Sequence, residues 1–183
     1  MNGIPFSNHC TASDPAVNNR HRLKQYRKFM GVGTLRHCMS LDIGRPNYIS
    51  EELDVFDNTH FDLNQRIVLW GYENEVVTCF EVIQHVMNPL SLLEGIHLNM
   101  KEGGKLYLST PKQWLIPWYH GQENFVEYKP KNMRKMLEHA GFKVVRMETH
   151  NPWPFRFIFY GIRPIFRYIF NRYVIFECVK QKG

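Results

Sequence analysis

The run Asn74-Glu75-Val76-Val77-Thr78-Cys79-Phe80-Glu81-Val82-Ile83-Gln84-His85-Val86-Met87-Asn88-Pro89 constrains this chain more than any other segment. Its first half is apolar and β-branched, which reads as a buried strand. Its second half gathers Glu81, Gln84 and His85, and Asn88-Pro89 then opens a helix. A buried strand that delivers ionisable groups at its carboxyl end is how open α/β sheets build ligand sites. Glu81 and His85 are four residues apart and share a face if the segment is helical.

The rest of the chain supplies partners for such a strand. Residues 1–13 are small and polar and read as a loose N-terminus. Asp14-Pro15 marks a helix start, and Val17, Leu23, Tyr26 and Met30 carry the helix to Gly31 and Gly33. Cys38 to Gly44 predicts a short strand ending in a glycine turn, and residues 45–52 a short helix or loop. Leu53 to Phe56 reads as a vestigial strand and Phe61 to Asn64 as another extended piece. Beyond the strand at 75–80 come a helix over 90–100, a turn over 101–104 and a strand over 105–110. A helix over 130–140, stopped by Gly141, precedes strands over 142–147 and 173–180. Between these last two strands lies an aromatic and basic insert, residues 151–172, rather than an ordinary crossover helix. Alternating strands and helices predict a single α/β domain over 1–183, with a mostly parallel sheet and helices on both faces.

Composition narrows the class of protein. With 183 residues, 44% hydrophobic and 22% charged, the chain suits one globular domain. The net charge of +6 permits an anionic partner without specifying one. Cys10, Cys38, Cys79 and Cys178 form no CxxC pair, so neither a disulfide framework nor a zinc pattern is expected. A reducing, cytoplasmic setting fits best. The sequence predicts no signal peptide, and no uninterrupted apolar segment approaches the ~20 residues that span a bilayer.

Leu41-Asp42-Ile43-Gly44, Phe61-Asp62-Leu63-Asn64, the run from Val76 to Val86, the run from Met100 to Pro111 (MKEGGKLYLSTP) and the run from Tyr128 to Val145 (YKPKNMRKMLEHAGFKVV) occur in that order. Together they resemble the landmarks of class I S-adenosylmethionine-dependent methyltransferases over roughly residues 35–180. The resemblance implies a Rossmann-like fold, shortened in its first half, because little chain separates Gly44 from the strand at 75–80. Family members commonly read LDIGCGxG at the first turn. Here Arg45, Pro46 and Asn47 follow Gly44, a compressed variant of that motif.

By this resemblance S-adenosylmethionine is the expected cofactor, and its candidate contacts are Asp42, Gly44, Asn47, Asp62, Asn64, Phe80 and Glu81. His85 and His120 are the candidate acid–base residues, since imidazole titrates near neutral pH. Related O-methyltransferases carry Glu-x-x-Glu-His in the region of Glu81, where it can hold a divalent metal. Here Gln84 replaces the second carboxylate, and no metal is expected, because hard cations want charged oxygen ligands. The aromatic residues of 113–127 and of the insert predict a small-molecule or lipid-linked acceptor, and the resemblance implies methylation on oxygen. The insert, with Arg156, Arg163 and Arg167, also suits peripheral membrane contact through 154–170 or a homodimer surface. Nucleic acid is disfavoured, because Arg20, Arg22, Lys24, Arg27 and Lys28 fit a solvated helix face. The contrasting expectation is a non-catalytic binding or scaffold protein whose reduced glycine turn no longer admits the cofactor.

Overall fold

A computed structural model of the chain describes residues 16–35, 37–44, 47–53, 63, 73–113, 126–151, 155, 159, 161 and 172–181. The helices are α1 (Ala16–Met30), α2 (Tyr48–Leu53), α3 (Pro89–Leu98) and α4 (Pro130–His139). The strands are β1 (Ser40–Ile43), β2 (Asn74–Phe80), β3 (Met100–Pro111), β4 (Phe142–His150) and β5 (Tyr173–Lys180). Among the described residues the strands form one sheet in the order β1-β2-β3-β5-β4. β1, β2 and β3 pair in parallel, while β5 runs antiparallel to both β3 and β4. Four strands therefore point one way and only β5 is reversed. The mostly parallel α/β sheet expected from the sequence is the one observed.

Side chains alternate across a strand, so each face acquires its own core. Leu41 and Ile43 of β1, Leu106 and Leu108 of β3 and Phe176 of β5 pack with Leu92, Leu93 and Ile96 of α3 and with Met133 and Leu137 of α4. Val76, Tyr107 and Ile175 face the other way, against Leu23, Tyr26, Phe29 and Met30 of α1 and Ile49 and Leu53 of α2. On this α1 face a buried Glu177 accepts bonds from Lys105 Nζ at 3.0 Å, Tyr107 Oη at 3.3 Å and Arg146 Nε at 3.0 Å. One carboxylate thereby ties β3, β4 and β5 together. Arg146 continues outward, its guanidinium 3.8 Å over the Phe29 ring and bonded to the Phe29 carbonyl, which fastens α1 to the sheet.

Two elements differ from the sequence expectation. Leu53 ends helix α2 instead of starting a strand, and residues 54–56 lie outside the described residues. Helix wins because Asn47 caps it: its Oδ1 accepts from the Ile49 and Ser50 amides at 2.9 and 3.4 Å. Ser50 Oγ returns the favour by accepting from the Asn47 amide at 2.6 Å, a reciprocal cap. The turn expected over 101–104 lies within β3 as an irregularity, where pairing jumps from Asn74↔Met100 to Val76↔Lys105. A β-carbon at Gly104 would lie 2.8 Å from the Lys101 carbonyl oxygen and 3.1 Å from that of Asn74, so backbone fills the space a side chain would need.

Gly141 shows how tightly the α4–β4 turn is built. Its φ is +90°, and a β-carbon there would lie 2.7 Å from His97 Nε2. Gly141→Ala should therefore cost about 1–3 kcal/mol of unfolding free energy in urea melts. The cost should shrink in a His97→Ala background, which removes the clash but not the backbone strain. An unchanged cost in that background would place the whole effect in the backbone.

Candidate functional site

The parallel strands present their carboxyl ends together, and the polar residues there fall on the α1 face. Asp42 is opposite Thr78 in the β1–β2 register. Its Oδ1 accepts from Thr78 Oγ1 at 2.5 Å and its Oδ2 from Asn47 Nδ2 at 3.1 Å. The side chain is only 3% exposed. Burial pushes the Asp42 carboxyl up from 3.8 to about 6, against the pull of hydrogen bonds from Thr78 and Ser50. Asn47 is thus both the cap of α2 and a support for Asp42.

Gly44 follows with φ +126°, and a β-carbon there would lie 2.7 Å from Val82 Cγ2. The turn after β1 is therefore seated against the turn after β2. Only glycine satisfies both the positive φ and that approach.

Glu81 directly follows β2 with φ 57°, the single positive-φ residue other than glycine among the described residues. Its Oε1 accepts from Tyr26 Oη at 2.8 Å and from Ser109 Oγ at 2.5 Å. Its amide donates to the Ser109 carbonyl at 3.2 Å. Unlike Asp42, it is only partly buried. Phe80 packs its ring 4.9 Å from that of Tyr26. The left-handed turn at Glu81 leads into a 3-10 turn, Ile83–His85, in place of an α-helix. The four-residue spacing of Glu81 and His85 therefore carries no shared helical face. His85 is 8% exposed, and its Nε2 lies 3.2 Å from Gln84 Nε2, while the Glu81 bonds described above go to β3 and α1. No group of three metal-ligating side chains occurs among the described residues. Asp62, Asn64 and His120, together with Arg156, Arg163 and Arg167 of the insert, lie outside those residues.

Sequence reasoning missed several members of this edge. Tyr26, Ser109 and Thr78 appeared as core or strand residues, and only tertiary contact reveals their polar roles. His150, at the end of β4, sets its ring 6.1 Å from those of Tyr26 and Phe29. Burial lowers its pKa, favouring the neutral imidazole. Arg22 is 6% exposed and lies 4.6 Å over the Tyr173 ring, and Arg27 pairs with Glu52 at 2.6 Å. The basic face of α1 is thus narrower than its composition implies. No helix among the described residues is long and apolar enough to cross a membrane.

Comparison with known proteins places this geometry. The methyltransferase domain family matches residues 2–147. A ubiquinone biosynthesis O-methyltransferase of Marinobacter nauticus is 30% identical over 97 residues, covering 43% of this chain and 40% of that protein. The chain thus spans less than half the length of that curated relative. The magnesium protoporphyrin IX methyltransferase of Synechocystis PCC 6803, solved with bound SAH, superposes with a TM-score of 0.58 at 15% identity, covering 90% of this chain and 84% of that one. An O-methyltransferase of a Brevibacillus brevis trans-AT PKS multienzyme, solved with S-adenosyl-L-homocysteine, gives a TM-score of 0.57 at 12% identity, covering 99% and 81%. At these identities the two structures establish the shared fold.

The raised Asp42 pKa has a measurable sign. The folded chain takes up this proton below about pH 6, the unfolded chain only below about 3.8. Asp42 therefore favours folding most in acid, and that contribution is lost as pH rises through the window, by up to roughly 3 kcal/mol. The unfolding free energy of wild type minus that of Asp42→Asn should fall between pH 4 and 6.5 and stay flat above. Urea melts across this range check it, and a difference that rises with pH would contradict the assignment.

Proposed function

This chain belongs to the methyltransferase domain family, and on that premise we propose that it is an S-adenosylmethionine-dependent methyltransferase acting on oxygen of a small or lipid-linked acceptor. The observation that carries the reading is the polar edge where β1 and β2 end side by side, with Asp42 held by Thr78 and Asn47 and Glu81 held by Tyr26 and Ser109. A cofactor that carries an α-ammonium group and a sulfonium fits a rim bearing two carboxylates, one buried and one partly exposed. When bound, the cofactor supplies an electrophilic methyl group, and the protein's task is to align the acceptor and exclude water.

Within this reading, Asp42 and Asn47 hold the turn through Gly44, while Phe80 and Glu81 line the cofactor's side of β2. Asp62 and Asn64 are assigned to the same cofactor by the sequence pattern. His85 and His120 are the candidate bases for an acceptor hydroxyl. Residues 113–127 and the insert 151–172 supply the acceptor side within one methyltransferase-like unit. Exposed Phe155 and Phe159, paired edge-to-face at 5.9 Å, suit an apolar or lipid-linked acceptor, peripheral membrane contact or a second copy of the chain. The printed name of the Marinobacter relative, a ubiquinone biosynthesis O-methyltransferase, supports transfer to oxygen. A cytoplasmic setting accords with this chemistry.

Titration calorimetry with S-adenosyl-L-homocysteine tests the cofactor assignment. Saturable binding is expected, with Asp42→Ala weakening it about tenfold or more, equivalent to ~1.4 kcal/mol. The absence of heat at millimolar ligand would instead favour the non-catalytic reading, for which the Val82 side chain packed at Gly44 already provides a structural motive.

A further inference from the structure

The Glu81 carboxylate does not reach its position through its own strand alone. Its φ of 57° lies in the left-handed region, which strains a non-glycine residue and persists only where surroundings impose it. Those surroundings come from two distant segments. Ser109 of β3 accepts from the Glu81 amide at 3.2 Å and donates to Oε1 at 2.5 Å, so it grips both backbone and side chain. Tyr26 of α1, 55 residues away in sequence, donates to the same oxygen at 2.8 Å.

The Tyr26 hydroxyl is a committed donor. The residue is 0% exposed, with its ring tilted against Phe80 and edge-on to His150. Burial and the nearby Glu81 charge push its pKa well above 10, so it keeps its proton. The helix that carries it is fastened independently, by Arg27 to Glu52, by Arg22 over Tyr173 and by Arg146 over Phe29. Two directed donors on one oxygen fix the plane of a carboxylate that remains partly exposed at the end of β2.

We propose that Tyr26 is a positioning residue which, with Ser109, aims the Glu81 carboxylate at the α-ammonium group of the methyl donor, so that the donor site is complete only when α1 is seated on the sheet. The inference rests on the methyl-transfer reading above. It makes α1 part of the binding apparatus and not merely a cover for the sheet.

A double-mutant cycle on the full chain tests it, with S-adenosyl-L-homocysteine as the calorimetric probe and thermal melting alongside. Tyr26→Phe and Glu81→Gln should each weaken the probe about tenfold, and the double variant should bind no worse than Glu81→Gln alone, since the hydroxyl acts only through the carboxylate. Met133→Ala, in the apolar cluster on the sheet face away from α1, should keep affinity within about twofold at an equal or greater loss of melting temperature. Full additivity of Tyr26→Phe and Glu81→Gln would overturn the proposal. So would Tyr26→Phe affinity within about twofold of wild type, or a loss that Met133→Ala reproduces. Failure of the wild-type chain to bind the probe would reject the methyl-transfer reading and this inference with it. Wild-type binding with an indifferent Tyr26→Phe would reject the inference alone.

Discussion

The hydrogen bond between Thr78 Oγ1 and Asp42 Oδ1 joins β1 to β2 at the point from which the rest of the site is measured. β1 has only four residues, so backbone pairing gives it little choice of register on its own. A one-residue slip would move Asp42 from the α1 face into the apolar cluster with Leu106 and Leu108. There its carboxylate would lose both Thr78 and Asn47, and an unpaired buried charge costs several kcal/mol. The polar residue therefore specifies the register more sharply than Leu41 and Ile43 do. Once the register is set, Gly44 meets Val82 and Asn47 is placed to cap α2.

This arrangement separates two tasks between the sheet faces. The face toward α3 and α4 is almost wholly apolar and supplies most of the burial. The face toward α1 mixes apolar packing with Asp42, Thr78, Ser109 and Glu177, each satisfied by a named partner. Buried polar networks of this sort are worth having only when complete, because each unsatisfied member costs about 1–3 kcal/mol. The result is an apolar face that supplies burial and a polar face whose bonded residues fix how the strands meet.

The strands and helices were legible because apolar periodicity is local. Val76 to Phe80, Leu106 to Leu108 and the Met133–Leu137 pair each announce their own element. The order of motifs then gave the family and the fold. What the sequence concealed depends on contacts made at a distance. Nothing near Tyr26 says that its hydroxyl meets Glu81, and Ser109 looks like any strand residue until β2 lies beside β3. Asn47 was expected among the cofactor contacts, and its role as the cap of α2 was hidden by the expectation of a strand beginning at Leu53. The presumed helical face shared by Glu81 and His85 failed for a backbone reason: the left-handed conformation of Glu81 stops a helix from forming across it.

Among the described residues β4 is the border strand on the side away from β1, and most of its nine residues are exposed, Val145 and Met147 among them. A long border strand is a template onto which another polypeptide can zip. Here Lys143, Arg146 and Glu148 punctuate it, and its pairing with β5 is irregular between Val144 and Arg146. Charge makes an incoming backbone pay for desolvation, and the irregularity spoils the straight row of amides it would need. The same Arg146 that clasps Glu177 and Phe29 on the α1 face thus also places a charged side chain on the outer border, so one residue serves both the interior of the sheet and its edge.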